Sequence, residues 1–370
     1  MSARFAVTYR VRSDAASIAA RAEAIAVEQS VEMPVAAIES EAVLRDIVGR
    51  VEDIADRGEG VFAVRIALAT ATIGDDAGQF LNMVFGNTSL HADVELEACE
   101  IPQNLAARLG GPRIGIPGLR ARLGVQGRAF TGSALKPQGL DPEALAALAG
   151  RLADGGLDFI KDDHGLADQA YSPFAARVPA CAAAIAAAAK RTGHPTRYIP
   201  SITGNLDQMR AQLRLVRDLG LDCAMVVPLL AGVANVQAIR AEFPDIALFA
   251  HPSFGGAARV APELLLGQLM PLLGADAVIF PNHGGRFGYT PATCRRLADA
   301  ARSAPVPALP VPAGGMTLAR TPELLDFYGP DTMLLVGGNL LMARARIAEE
   351  AAAFARAVAQ HPYAQDHDGH

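Results

Sequence analysis

From about residue 128 onward, eight short apolar runs recur at a spacing of roughly 25 residues, each followed by a loop and an Ala/Leu/Arg-rich helical pattern. They are "AFTGSALKP", "LDFIKDD", "RYIPSIT", "CAMVVPL", "IALFAHP", "DAVIFPN", "PALPVPA" and "TMLLVGG". Each is too short for a helix and reads as a buried strand. Eight β-then-α units in roughly 230 residues predict a (β/α)8 barrel. The rival is a doubly wound open sheet, but no dinucleotide-binding glycine fingerprint follows any of the runs.

The first third has a different rhythm. "RFAVTYRVR" alternates like a half-buried strand, and "SDAASIAARAEAIAVEQS" follows with helical period, Ser13 or Asp14 serving as its cap. "GVFAVRIALAT" reads as a strand, "DDAGQFLNMVFG" as a helix and "ADVELEACEIP" as a strand. Residues 1–112 are therefore expected to form a small α+β, ferredoxin-like domain. Residues 113–127, "GGPRIGIPGLRARLGV" in the main, read as a linker, and 128–370 as the α/β barrel.

A barrel presents its chemistry at the C-terminal ends of its strands. Lys136 and Gln138 end the first, and Lys161, Asp162, Asp163 and His164 the second. Ser201, Thr203 and Asn205 end the third, His251 and Ser253 the fifth, and Asn282, His283 and Arg286 the sixth. Gly314–Gly315 and Gly337–Gly338 follow the seventh and eighth, where barrels commonly hold a phosphate on backbone N–H groups.

Composition sharpens the reading of the lysines. Of 33 Lys plus Arg, three are lysine (Lys136, Lys161, Lys190), leaving 30 arginines. Arginine cannot be deprotonated in practice, so a lysine in such a chain points to a task arginine cannot perform. Lys190 ends a helical pattern, where a cation complements the helix dipole. Lys136 and Lys161 both follow strand-like runs. The net charge of −6, with no basic block, argues against nucleic acid as a partner. No secretory leader and no membrane-length apolar run are visible, so a cytoplasmic protein is expected. Cys99, Cys181, Cys223 and Cys294 show no paired spacing and read as free thiols. His91, His194, His361, His367 and His370 read as surface residues, and "HPYAQDHDGH" as a frayed end.

The stretch "GGLDFIKDDHG" is the crux. It reads as a solvated turn, as a Schiff-base lysine with acidic helpers, or as a metal site. In the last case Asp163 and His164 offer hard ligands. Lys161 lies two residues earlier on the same strand face, and a carbamate formed on it with CO2 would supply an anionic oxygen.

That last reading coincides with a resemblance. "GGLDFIKDDHG" resembles the RuBisCO superfamily signature Gly-Gly-x-Asp-Phe-x-Lys-Asp-Asp-Glu, which carries a carbamylated lysine and two Mg²⁺ ligands. "SALKPQG" resembles the family's first-strand motif with its active-site lysine, here Lys136. "FGNTSLHADVELEACEIP" and "VEQSVEMP" resemble segments whose asparagine and glutamate, here Asn87 and Glu28, reach the partner subunit's site. His251 in "FAHPS" stands where the family has a histidine, and "AGGM" and "VGGN" resemble its phosphate loops.

Departures from the family narrow the expectation. His164 stands in place of the acid, Gln138 in place of the second lysine, and Pro252 in place of an arginine. The family's N-terminal tryptophan is missing, and the sixth loop, "PNHGGRFGYT", has no lysine to assist CO2 addition. The resemblance therefore implies a RuBisCO-like protein that enolises a phosphorylated ketose and is not a carboxylase. It implies Mg²⁺ held by carbamylated Lys161, Asp163 and His164, with His164 alternatively a proton shuttle, and Lys136 as the base. It further implies phosphate on Gly314, Gly315, Gly337 and Gly338, and a homodimer. His283 and Arg286 are expected either to contact substrate or to pack the loop. The short chain resembles the isomerase of 5-methylthioribulose 1-phosphate in methylthioadenosine salvage. The 2,3-diketo-5-methylthiopentyl-1-phosphate enolase, a 3-oxo sugar-acid phosphate decarboxylase or hydrolase, and an idle regulatory relative are the alternatives. Met33 and Pro34, beside Glu28, would suit a thioether.

Overall fold

A computed structural model describes residues 3–363. Two sheets organise it. The first is four-stranded and antiparallel, with spatial order β2-β3-β1-β4. Its strands are β1 (Arg4–Arg12), β2 (Arg50–Asp56), β3 (Val61–Ala69) and β4 (Val94–Glu100). Helices Ile18–Glu28 and Ala77–Phe85 complete the ferredoxin-like order. The N-terminal helix starts at Ile18, later than its pattern suggested, because Asp14 Oδ1 accepts from the N–H groups of Ala16 and Ser17 and holds a turn ahead of it. Strand β2 escaped the sequence reading. It is an edge strand, "RVEDIAD", whose register shifts between Val51 and Asp53, so its apolar residues lose the two-residue period.

The second sheet contains all eight expected strands. They are β5 (Phe130–Leu135), β6 (Phe159–Asp162), β7 (Arg197–Ile199), β8 (Cys223–Val226), β9 (Ala247–Ala250), β10 (Ala277–Pro281), β11 (Leu309–Ala313) and β12 (Met333–Leu335). The order runs β7-β6-β5-β12-β11-β10-β9-β8. A parallel bridge between Ser201 and Met225 joins β7 to β8 and closes the ring, which excludes the open sheet. Inward side chains such as Phe130, Phe159, Phe249, Met225 and Leu335 fill the barrel. Outward ones, including Ile160, Leu248 and Phe280, pack under the helices.

The stretch read as a linker contains a helix, Gly115–Leu123, whose Ile116, Leu119 and Leu123 join the barrel's interior cluster. One buried carboxylate docks it. Asp276 Oδ1 accepts from the N–H groups of Arg113, Ile114 and Gly115 at 2.8, 2.6 and 3.0 Å. Gly115 has φ +53°, and a Cβ there would lie 2.4 Å from Pro307 O. The glycines that suggested flexibility thus permit close packing. The first domain leans on the barrel's flank, where Leu96 of β4 bridges Val260. No helix among the described residues is long and apolar enough to cross a membrane.

Candidate active site

Lys136 and Lys161 end adjacent strands, β5 and β6. On β6, Phe159 faces the barrel interior and Ile160 the helices. Alternation then turns Lys161 and Asp163 inward and Asp162 outward. Lys161 is 3% exposed. Its Nζ donates to Asp162 O at 2.8 Å and lies 3.4 Å from Met225 Sδ. Burial lowers its pKa to about 8; Asp163 opposes this and the Lys136 charge adds to it. Roughly one amine in ten is then neutral at pH 7, against one in a few thousand for an ordinary lysine.

Asp163 gathers the remaining polar groups. Lys136 Nζ lies 2.5 Å from Oδ1, His164 Nδ1 lies 3.4 Å from the same oxygen, and Gln138 Nε2 donates to Oδ2 at 3.5 Å. Burial pushes the carboxyl up, but hydrogen bonds from His164 and Lys136, with the Lys136 charge, outweigh it and hold the group well below the usual carboxylate range. Lys136 is not desolvated in the way Lys161 is. Its side chain is 40% exposed, because it ends β5 at the open rim while Lys161 sits deeper.

His164 stacks on His251, with ring centroids 4.1 Å apart and planes 10° from parallel. Burial, then the charges of Lys161 and His164, lower His251 to about 2, so its ring is neutral at working pH. The Ser253 N–H donates to His251 Nδ1 at 3.3 Å, and Ser253 Oγ lies 3.0 Å away. An N–H can only donate, so Nδ1 is the acceptor and Nε2 carries the proton.

Behind the strand, Asp162 accepts from Arg177 Nε at 3.2 Å, Tyr198 Oη at 2.6 Å and Ser201 N at 3.0 Å. Asp162 and Arg177 are both fully buried. The sequence reading missed Arg177. Its signal was a charge on the apolar face of helix Phe174–Thr192, which also carries Phe174, Val178, Cys181 and Ile185.

The glycine loops open onto the same end of the barrel. A Cβ at Gly314, Gly337 or Gly338 would meet nothing within 4 Å, so these stretches of backbone border empty space. Gly315 instead packs glycine on glycine, and a Cβ there would come within 2.7 Å of Gly285 Cα. His283 turns to the helix side, its ring 4.7 Å from that of Phe327, because hydrophobic helix Thr321–Tyr328 covers that loop. Arg286 is exposed, with its guanidinium 4.9 Å from the Phe287 ring.

Glu28 and Asn87 meet each other in the first domain. Asn87 Nδ2 donates to Glu28 Oε1 at 2.9 Å and to Glu32 Oε1 at 3.1 Å, and Glu32 was not anticipated. Among the described residues of one chain, no hydrogen bond carries this cluster to the barrel mouth. Two histidines assigned to the surface are partly covered. His194 Nε2 lies 3.3 Å from buried Asp158, and His361, with a side chain 7% exposed, lies 3.1 Å from Asp326. His367 and His370 lie outside the described residues. The four cysteines are free and buried.

Among the described residues, no three His, Cys, Asp or Glu side chains group to hold a metal. Asp163 and His164 are two donors, and a carbamate on Lys161 would be the third. With that modification the donor set fits a divalent cation.

Fold and site together define a two-domain (β/α)8-barrel protein with a lysine–carboxylate–imidazole centre at its strand ends. Residues 115–263 match the family model for the ribulose bisphosphate carboxylase large chain, catalytic domain. The chain is 57% identical over 363 residues to the 5-methylthioribulose-1-phosphate isomerase of Rhodospirillum rubrum, covering 97% of each. It is 33% identical to the 2,3-diketo-5-methylthiopentyl-1-phosphate enolase of Geobacillus kaustophilus, over 75% of this chain and 70% of that one. A crystal structure of a Rubisco-like protein from Rhodopseudomonas palustris superposes with a TM-score of 0.90 at 49% identity, covering 97% of this chain and 98% of that one. The chain belongs to the RuBisCO large-chain family, among its RuBisCO-like proteins.

Proposed function

We propose that this protein is an enolising isomerase of a phosphorylated ketose. Its substrate is 5-methylthioribulose 1-phosphate, converted to methylthio-xylulose and methylthio-ribulose 5-phosphates in the cytoplasmic salvage of methylthioadenosine. The observation that carries the reading is Lys161. In a chain with three lysines, one is buried beside Asp163 with its amine held partly neutral, the form that reacts with CO2. The relative at 57% identity supports the choice of isomerase over the enolase named at 33%.

Carbamylated Lys161, Asp163 and His164 would hold Mg²⁺, which as a Lewis acid supplies stabilisation of an enediolate when bound. The protein's own groups do the rest. Lys136, at the rim beside Asp163, would be the base that takes the proton from a carbon next to the substrate carbonyl. His251 offers a neutral Nε2–H to a substrate oxygen. His164, stacked on it, serves as the third ligand or as carrier of a proton between carbons. The open backbone at Gly314, Gly337 and Gly338 suits a phosphate. With only Lys136, Lys161 and Lys190 in the chain, the β10 loop has no lysine to assist CO2 addition, so the enediolate is reprotonated.

Two sets of exposed apolar residues support a shared site in a homodimer. Tyr171, Leu230, Phe254, Phe287 and Met342 stand exposed on the segments that follow five barrel strands. Met33, Val35 and Leu90 stand exposed near Glu28 and Asn87 on the first domain. A second copy would cover one with the other and bring Glu28 and Asn87 to the substrate.

The test is proton and phosphorus NMR in D2O, with Mg²⁺, bicarbonate and 5-methylthioribulose 1-phosphate, beside Lys161→Ala. New phosphate resonances that the variant lacks support the proposal. Turnover that survives in the variant sinks the modified-lysine site. No turnover, with reaction of the diketo phosphate or the 3-oxo sugar-acid phosphate instead, replaces isomerase by enolase or decarboxylase.

A further inference from the structure

Ser201 is fully buried, and its Oγ has no hydrogen-bond partner. A buried hydroxyl without a partner is costly, and such groups in a folded protein call for an explanation. Three observations say where it points. Ser201 bridges Met225, whose side chain lies in the barrel interior, and paired residues share a face. Its neighbours follow the alternation, Ile199 inward and Ile202 outward. Its N–H is held by Asp162 at 3.0 Å, so the residue cannot turn away. The hydroxyl therefore faces the barrel interior one pleat above Ile199, the residue that pairs with Lys161. Lys161 Nζ reaches Met225 Sδ at 3.4 Å, on the strand next to Ser201. The amine and the idle hydroxyl flank the same methionine.

Resting on the carbamate reading above, we propose that Ser201 Oγ is the hydrogen-bond donor that holds the carbamate of Lys161. In the modification the neutral amine's lone pair forms an N–C bond to CO2. One C–O π pair becomes the carbamate's negative charge, and the N–H proton leaves to solvent. The product extends the side chain by a carboxylate-like group, with an oxygen to accept what Lys161 Nζ cannot, since both groups now donate. Ser201 is a positioning residue: it fixes the orientation of the modified lysine without contacting the substrate.

The test is carbon NMR of the full-length protein in ¹³C-bicarbonate and Mg²⁺, following the carbamate carbon as bicarbonate is titrated. Ser201→Ala keeps the backbone bond to Asp162 and removes the hydroxyl alone. A lost hydrogen bond to a charged group raises the half-saturating bicarbonate about tenfold or more. Ser201→Thr, which keeps the hydroxyl, restores it. Ser133→Ala is the control, because Ser133 Oγ is equally buried and unpartnered but on the outward face of β5; it leaves the titration unchanged. An unaltered titration in Ser201→Ala, or an equal loss in Ser133→Ala, overturns the inference while leaving the carbamate intact. No carbamate signal in the unmodified sequence at any bicarbonate overturns both.

Discussion

Asp162 and Arg177 form a buried ion pair directly behind the lysine strand, and its removal can be worked through in numbers. Both side chains are fully buried. Arg177 also donates to Ser172 O at 2.7 Å and Ala167 O at 2.9 Å, while Asp162 accepts from Tyr198 and Ser201 on the β7 side. Asp162→Asn keeps the shape and leaves a buried guanidinium without its counter-charge, at a cost of about 3–5 kcal/mol. Arg177→Met keeps the stem's packing, strands two carbonyls and leaves the carboxylate uncompensated, at a similar cost of about 3–5 kcal/mol. The double variant buries no charge at all, and what remains is the loss of the hydrogen bonds, about 3–4 kcal/mol. The coupling energy is then about 4 kcal/mol. Two domains need not unfold together, and the chain has no tryptophan to report on either. The measurement is therefore hydrogen exchange of β6 and β7 peptides across a urea series, at one protein concentration. Single variants that add to the double within about 0.5 kcal/mol would refute the argument. So would an Asp162→Asn variant costing under about 1 kcal/mol, because the pair would then be worth no more than a surface one.

Three further outcomes follow from the same geometry. Gly165→Ala places a Cβ 1.7 Å from Gln138 Nε2, the far end of a flexible side chain; stability should change by under about 1 kcal/mol, while turnover falls to that of Gln138→Ala, and a Gly165→Ala enzyme of full activity shows Gln138 to be dispensable. Asp158 is held by Arg128 at 2.8 and 2.9 Å, and although burial raises its pKa, the Arg128 hydrogen bonds and the neighbouring His194 prevail and set it at about 2 against an ordinary 3.8. A depressed carboxyl stabilises above its unfolded pKa and loses that contribution as pH falls, so about 2 kcal/mol should vanish between about pH 4 and pH 2, a slope that calorimetry should find absent in Asp158→Asn. Lys161→Met replaces a dry amine by an isosteric apolar group, so thermal unfolding should hold steady or rise by about 1 kcal/mol while turnover is lost; a clear fall in stability would mean the amine is structural.

The barrel was legible because its strands obey one rule: a buried parallel strand is a short apolar run, and eight such runs leave little topological choice. The mouth was legible for a related reason, since the end of each run is the one place where polar residues follow a buried strand. Lys136, Lys161, Asp163, His164 and His251 all emerged that way, and the structure brings them into one cluster. What stayed hidden depends on direction or on partners distant in sequence. His283 stands at a strand end like His251, yet its ring turns to Phe327, because the following helix presents an aromatic face that the chain supplies 44 residues later. Helix Gly115–Leu123 was concealed by its glycines and proline, whose conformational freedom is used to fit under the barrel against Asp276. Strand β2 was concealed by a bulge.

Asp162 shows the limit most clearly. Beside Asp163 in the sequence it looks like the second half of an acidic pair, and only the strand's alternation separates them. One carboxylate faces the chemistry and the other faces Arg177. The same alternation ties the two roles together. Ser201, whose hydroxyl waits inside the barrel, has its N–H held by the carboxylate that faces outside. The ion pair that stabilises the wall therefore also fixes the direction of a group in the pocket. A variant such as Asp162→Ala, which removes the acceptor, should disturb the proposed carbamylation of Lys161 as well as stability, and in Arg177→Met, where Asp162 keeps its bond to Ser201, the loss should fall on stability alone.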